Sequence, residues 1–247
     1  MSGYLKNPKK TAVIICDMWD NHWCKGAAAR VVEMASRMND LLNYLRDIGC
    51  VIIHCPSDTM TYYKNYPQRK KILELAADGV LNVNETNRLK IENLPPLYVD
   101  MKRVECDCGD DKCPQCQPWS KQIETLAIKD TDLIGDNDEV LKALNTMGIE
   151  QIIMMGVHTN LCVLHRRFAI KNLITHDYNV VLVRDMTDCM APSDEPPYIN
   201  HFDALSVVVS YIEQQLCPTV TSGELMGDGK IFTFAEDKKK HRFDYEK

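Results

Sequence analysis

The chain has 247 residues, 45% hydrophobic and 26% charged, a composition that folds into one large core or two small ones. Disorder, collagen and coiled coil are excluded as descriptions of the whole, and no apolar run reaches the roughly 18 residues that cross a bilayer. Net charge is −6, from 29 Lys and Arg against 35 Asp and Glu, the wrong sign for the basic footprint of a nucleic-acid binder.

The first residues, Met1 to Lys10, are polar and lysine-rich, and the apolar run after them is too short for a signal-peptide core. The expectation is a soluble, cytoplasmic protein with neither nucleic-acid nor membrane partners. Its 11 cysteines are then thiols rather than a disulfide framework. Cys16, Cys24, Cys50, Cys55, Cys189 and Cys217 read as small packing residues. The basic runs Arg69 to Lys71 and Lys238 to Lys240 read as solvated surface.

Thr11 to Cys16 (TAVIIC) is continuously apolar and β-rich, a buried parallel strand with Asp17 at its carboxyl edge. Val31, Met34, Met38, Leu41 and Leu45 form one helical face, stopped at Gly49. Val51 to Cys55 (VIIHC) is the next strand. From about Thr59 to Lys121 the rhythm breaks, with Tyr62, Tyr63 and Tyr66, a Leu94-Pro95-Pro96-Leu97 turn and a cysteine cluster. This stretch reads as an insertion of the same domain, lidding the site. Val140, Leu141 and Leu144 mark a helix ending at Gly148, followed by the strand Gln151 to Met155. A helix from about Asn160 to Ile174 precedes the strand Asn179 to Val183. Phe202, Leu205, Val209, Ile212 and Leu216 make another helical stripe, leading to Pro218 and a short strand near Val220. Residues 1–230 thus form one domain with its insertion at about 59–121. A polar tail, 231–247, is expected to be poorly ordered over its last ten or so residues.

This alternation predicts an α/β fold: a three-layer α/β/α arrangement with a central, mostly parallel sheet, plus the cysteine-containing insertion. Ligands of such sheets sit beyond the carboxyl ends of the strands. That places Asp17, Pro56 to Asp58, Gly156 to Cys162 and Arg184 to Asp188 near the site.

The segment Gly156-Val157-His158-Thr159-Asn160-Leu161-Cys162 follows a strand and opens a helix. Cys162 then lies in a first turn, where the dipole and free N–H groups favour a thiolate and can hold an oxyanion. A structural cysteine is the competing reading. Asp17, at the end of a neighbouring strand, points into the same crevice and could move the thiol proton. A cation would hold that carboxylate charged. Lys129 is the best placed, with surface lysine as its competing reading.

An apolar strand ending in Asp, a lysine in a connecting segment and a G-V-x-T-x-x-C turn together resemble the isochorismatase-like cysteine hydrolases, which include nicotinamidases and related amidases. The resemblance spans about residues 10 to 228. It extends to Cys55-Pro56, Val183-Arg184-Asp185 and the His201 helix before Thr219 to Leu225. It implies a triad of Asp17 as general base and acid, Lys129 as its charge partner and Cys162 as the nucleophile of a thioester-type intermediate. It also implies a cis peptide between Val157 and His158, aiming the N–H groups of His158 and Cys162 at one oxyanion. Trp19, His22 and His158 would bind substrate, His158 having helix-start bonding to backbone as its competing reading.

The chain departs from the family pattern in three places. The Ser-Ala-Phe run that usually follows the lysine is replaced by Asp130-Thr131-Asp132-Leu133-Ile134. Asp17-Met18-Trp19-Asp20-Asn21-His22 replaces the common Asp-x-Gln-x-Asp-Phe. Ser57-Asp58-Thr59-Met60 lacks the histidine of the nicotinamidase metal pair, so catalysis is expected to need no cofactor. The vinyl-ether branch of the family lacks the cysteine, so Cys162 favours hydrolysis of a small-molecule amide or related C–N bond. Another acyl or ether substrate, or a non-catalytic zinc-stapled interaction protein on the same fold, remains the alternative. The resemblance also implies a homo-oligomer, with Tyr62, Tyr63 and Tyr66 as contact residues.

Cys106, Cys108, Cys113 and Cys116 end in a CxxC pair and suit a structural tetrahedral zinc; reduced thiols or a redox pair are the other readings. His54 reads as a satisfied core histidine, and Asp185 and Asp188 as turn caps or substrate ligands. One of Arg166 and Arg167 is expected to face a subunit interface or a core carboxylate.

Overall fold

Every residue of β1 (Thr11–Cys16) is buried, as a parallel strand covered on both faces must be. The computed structural model describes residues 3–99, 106, 108, 113–192, 198–240 and 242–244. After β1 come α1 (Lys25–Asp47), β2 (Val51–Cys55), α2 (Met60–Tyr63), α3 (Pro67–Ala77), α4 (Glu85–Glu92) and β3 (Leu133–Ile134). The second half holds α5 (Asn137–Thr146), β4 (Gln151–Val157), α6 (Cys162–His165), α7 (Ile170–Thr175), β5 (Asn179–Asp188), α8 (His201–Gln215), β6 (Thr219–Val220) and α9 (Ser222–Met226). The predicted apolar stripe of α1 is buried, together with Ala27, Ala35 and Leu42.

Among the described residues six strands form one sheet, ordered β3-β2-β1-β4-β5-β6, and each of their pairings is parallel. With helices on both sides this is the predicted three-layer α/β architecture. The chain winds outward from β1 through β2 to β3, then returns to β4 beside β1 and winds the other way. The switch point therefore lies between the carboxyl ends of β1 and β4, where Cys16 pairs with Gly156 and where ligands of open sheets bind. Among the described residues no helix is long and apolar enough to cross a membrane.

Gly156 makes that junction possible. Its φ is +111°, and a Cβ on it would stand 2.0 Å from the Cys16 carbonyl oxygen. Gly156→Ala is therefore expected to cost about 3 kcal/mol or more, as strain and overlap add, seen as a lower urea midpoint at unchanged m-value.

The structure differs from the sequence-based expectation in several places. β3 is an additional strand, paired with β2 through Ile53–Leu133 and His54–Ile134. Helix α3, inside the stretch expected to be an insertion, packs on β3 and α5 and buries Ile72, so it serves as the crossover between β2 and β3. Tyr63 is buried, and its hydroxyl oxygen accepts the Gln122 N–H at 2.8 Å, which removes it from the expected subunit contact. The helix predicted over about Asn160 to Ile174 is two short helices, broken where Arg166 adopts an extended backbone (φ −57°, ψ 159°). β5 runs on past Val183 to Asp188. The described part of the tail is docked: Phe234 and Phe243 are buried, Arg184 donates to the Phe243 carbonyl at 3.1 Å, and Arg242 pairs with Asp203 and Asp237, each at 2.6 Å. Residues 241 and 245–247 of the stretch expected to be poorly ordered lie outside the described residues.

Candidate active site

Asp17 follows the last residue of β1 in a left-handed conformation, φ +49°. That turn lets its N–H reach the Cys55 carbonyl at 3.0 Å and swings its fully buried carboxylate across the switch point. Oδ1 accepts the Ser57 N–H at 2.8 Å. Oδ2 accepts Arg166 Nε–H at 3.3 Å, and the Cys162 thiol interacts with the same carboxylate. Burial pushes the Asp17 pKa up, more than Arg166, Cys162 and Ser57 pull it down.

The nucleophile turn comes off β4. The Val157–His158 peptide is cis, and the His158 carbonyl then accepts the Leu161 and Val163 N–H groups at 3.0 and 3.2 Å. The long β5 holds this turn from the side. Thr159 N–H donates to the Asp188 carbonyl at 2.7 Å, the Thr159 and Thr187 hydroxyls bond at 2.7 Å, and Asn160 bonds both ways with the Met190 backbone. Cys162 is thereby fixed as the first residue of α6. The direction of its thiol pKa is opposite to the one a helix start favours. Burial, then the charge of Asp17, pushes its pKa up, and Arg166 opposes this only in part. A helix of one turn carries too little dipole to offset that desolvation.

Lys129 is not brought to this pair. The level of Asp17 in the sheet is reached on the β3 side only after Ile134, since Cys16 pairs with Cys55 and His54 with Ile134. Lys129 precedes β3 and is exposed. Its backbone is held in a turn, the N–H by Asp132 at 2.7 Å and the carbonyl by Gln68 at 3.1 Å. Asp132 is in turn gripped by Arg46 at 2.9 Å and His54 at 3.2 Å. The cation at the carboxylate is Arg166, which also binds Asp58 at 2.8 Å. The break after α6 leaves its side chain in this position. A core carboxylate was one of its two expected partners.

Trp19 and His22 belong to an aromatic group beside the turn. Trp19 is buried, donates Nε1–H to the Ser57 carbonyl at 3.0 Å and stacks on Trp119 with centroids 4.3 Å apart. His22 stacks on Trp119 at 5.6 Å and meets His158 edge-on at 5.0 Å. Trp119 comes from the end of the stretch expected as an insertion, and pattern reading missed it because an isolated Trp between loop residues carries no periodic signal. Its neighbour Ser120 is anchored to Asp20 through N–H and hydroxyl, at 2.9 and 2.7 Å.

The lower-ranked residues are structural. His54 bonds Gln122 at 2.9 Å and Asp132, a satisfied core histidine. Asp185 accepts the Ser222 and Phe232 N–H groups at 2.7 and 3.0 Å, tying α9 and the tail to β5. Asp188 is buried between Arg30 and His201, each at 2.7 Å. Burial raises its pKa, but the interactions with His201 and Arg30 outweigh that and hold it low. Of the four clustered cysteines, Cys106 and Cys108 lie against Cys24 and Cys113 lies against Cys108, whereas Cys116 is exposed. Cys24, expected as a packing residue, is part of this sulfur group.

Fold and site together define an α/β protein with a buried carboxylate–cysteine pair at the switch point of a parallel sheet. The isochorismatase domain family matches residues 109–214, the segment that carries Cys162 and Arg166. A cysteine hydrolase from Pseudomonas syringae pv. phaseolicola is 18% identical, with 92% of this chain and 96% of that one covered and a TM-score of 0.57. An isochorismatase family protein from Burkholderia thailandensis is 15% identical over 90% and 96%, with a TM-score of 0.52. An isochorismatase from Pseudomonas putida is 13% identical over 88% and 91%, with a TM-score of 0.53. At these identities the structures establish the fold alone. No curated protein matches the sequence. The chain has the fold seen in the isochorismatase-family cysteine hydrolases, and residues 109–214 match the isochorismatase domain model.

Proposed function

We propose that the protein is a cysteine-dependent hydrolase of a small-molecule amide or related C–N bond, with Cys162 as nucleophile, Asp17 as proton carrier and Arg166 in the place the family gives to lysine. The observation that carries this reading is a buried carboxylate that interacts with the Cys162 thiol and is contacted by Arg166. A thiol with a raised pKa attacks only if its proton leaves as the C–S bond forms. An ionised Asp17 accepts it, and Arg166 opposes the rise in the Asp17 pKa that burial causes.

In the first half-reaction Cys162 Sγ bonds to the carbonyl carbon while its proton passes to Asp17. The oxyanion is held by the N–H groups of His158 and Cys162. Asp17 then gives the proton to the leaving nitrogen as the C–N bond breaks, leaving a thioester. Water attacks that thioester, Asp17 takes its proton, and the same proton returns to sulfur as the acid departs.

Trp19, Trp119, His22 and His158 form the substrate wall in this reading. Trp119→Ala removes a stacked face without touching the reacting groups. It is expected to raise KM by about tenfold with a smaller change in kcat, measured by steady-state kinetics. The reading itself is tested by quenching reactions with a panel of small primary amides and ureido compounds and weighing the intact protein. An acyl mass on Cys162 with ammonia release supports it; ammonia release that persists in Cys162→Ala contradicts it.

A further inference from the structure

We propose that Cys24, Cys106, Cys108 and Cys113 bind one zinc ion as four thiolates, fastening the cysteine-rich segment to the start of α1 and to the nucleophile turn. Four sulfurs bound tetrahedrally at about 2.3 Å from zinc stand about 3.8 Å from one another. The sulfur of Cys24 lies 3.6 Å from those of both Cys106 and Cys108, and Cys113 lies 3.9 Å from Cys108. The sulfurs of Cys24, Cys106 and Cys108 are all within 4.8 Å of one another, and Cys113 reaches that group through Cys108, so it would close in as the ion binds. Sequence spacing pointed to Cys116 as the fourth ligand, but Cys116 is exposed and Cys24, 82 positions before Cys106, takes that role.

The surroundings suit thiolates. Gly26 N–H donates to Cys108 Sγ at 3.3 Å, offsetting negative charge on sulfur. Ala27, Leu161 and Met190 pack with Cys24 and Cys106, and Trp23 and Cys162 border the group, a mostly apolar shell that strengthens the metal bonds. An all-sulfur donor set selects a soft ion, and in a tetrahedron that is first of all zinc. On binding, each thiol releases its proton to solvent. Cys24 caps α1 and Leu161 caps α6, so the ion would join Cys106, Cys108 and Cys113 to the first of these helix starts beside the second.

The test is metal analysis of the full chain purified without chelators. About one zinc per chain is expected, lost in Cys24→Ser and kept in Cys116→Ser. Cobalt(II) added to the metal-free wild-type protein is expected to give intense thiolate-to-metal and tetrahedral d–d absorption. This reading needs no variant to fold, and Cys113→Ser serves as a second variant if Cys24→Ser is insoluble. The proposal is overturned if zinc is lost with Cys116 but not with Cys24, if a different metal or cluster fills the site, or if the purified chain holds no metal and gives no cobalt tetrathiolate spectrum. Disulfides linking these four cysteines in protein purified under reducing conditions would overturn it equally.

Discussion

Replacing Cys162 with alanine is expected to lower kcat/KM by about 10⁴-fold or more, and Asp17→Asn by a comparable factor. The thiol and the carboxylate share one proton, so neither works without the other and the double variant should be no worse than the poorer single one. Asparagine keeps the oxygen that accepts the Ser57 N–H, so the loss should appear in kinetics with little change in thermal midpoint. The pH profile carries the same logic. Asp17 must be ionised to accept a proton, and burial raises its pKa. Activity should therefore fall on acidification through a limb above the ordinary carboxylate range and persist above it, read from kcat/KM against pH.

The second large effect separates two cations. Arg166→Ala is expected to lower kcat/KM by about 10²- to 10³-fold, whereas Lys129→Ala should leave it within about twofold. Arg166 meets Asp17 at 3.3 Å and Asp58 at 2.8 Å, while Lys129 is exposed. Without Arg166 the buried carboxylate loses its counter-charge, its pKa rises further and the acid limb moves to higher pH. Arg166→Lys should recover part of the loss, since it restores charge but not the two-carboxylate fork. Steady-state kinetics on the three variants decides between the cations.

Asp17 and Cys162 were legible because each sits where a buried apolar run ends, and parallel sheets put such ends on one edge. The strand order that makes them neighbours follows from the same α/β rhythm. Arg166 was legible only as an arginine with two alternative partners. Its role depends on a helix break that no Gly or Pro marks and that the apolar spacing from Val163 to Ile174 conceals. β3 is two residues long, too short for a period. Cys24 joins its sulfur group across the chain, a contact that spacing within a motif cannot reveal. The tail reads as polar because nine charged residues outnumber its four aromatics, yet Phe234 and Phe243 are what dock it.

The most direct test needs no substrate: the alkylation rate of Cys162 by iodoacetamide against pH, followed by peptide mass spectrometry. In the wild type, burial and Asp17 hold the thiol protonated well above the ordinary range. Asp17→Asn removes the opposing negative charge and should move the Cys162 titration to lower pH, Arg166→Ala should move it higher, and Lys129→Ala should leave it in place. A titration that shifts with Lys129 and ignores Arg166 would contradict the account, and with it the assignment of Arg166 as the cation of the Asp17–Cys162 pair.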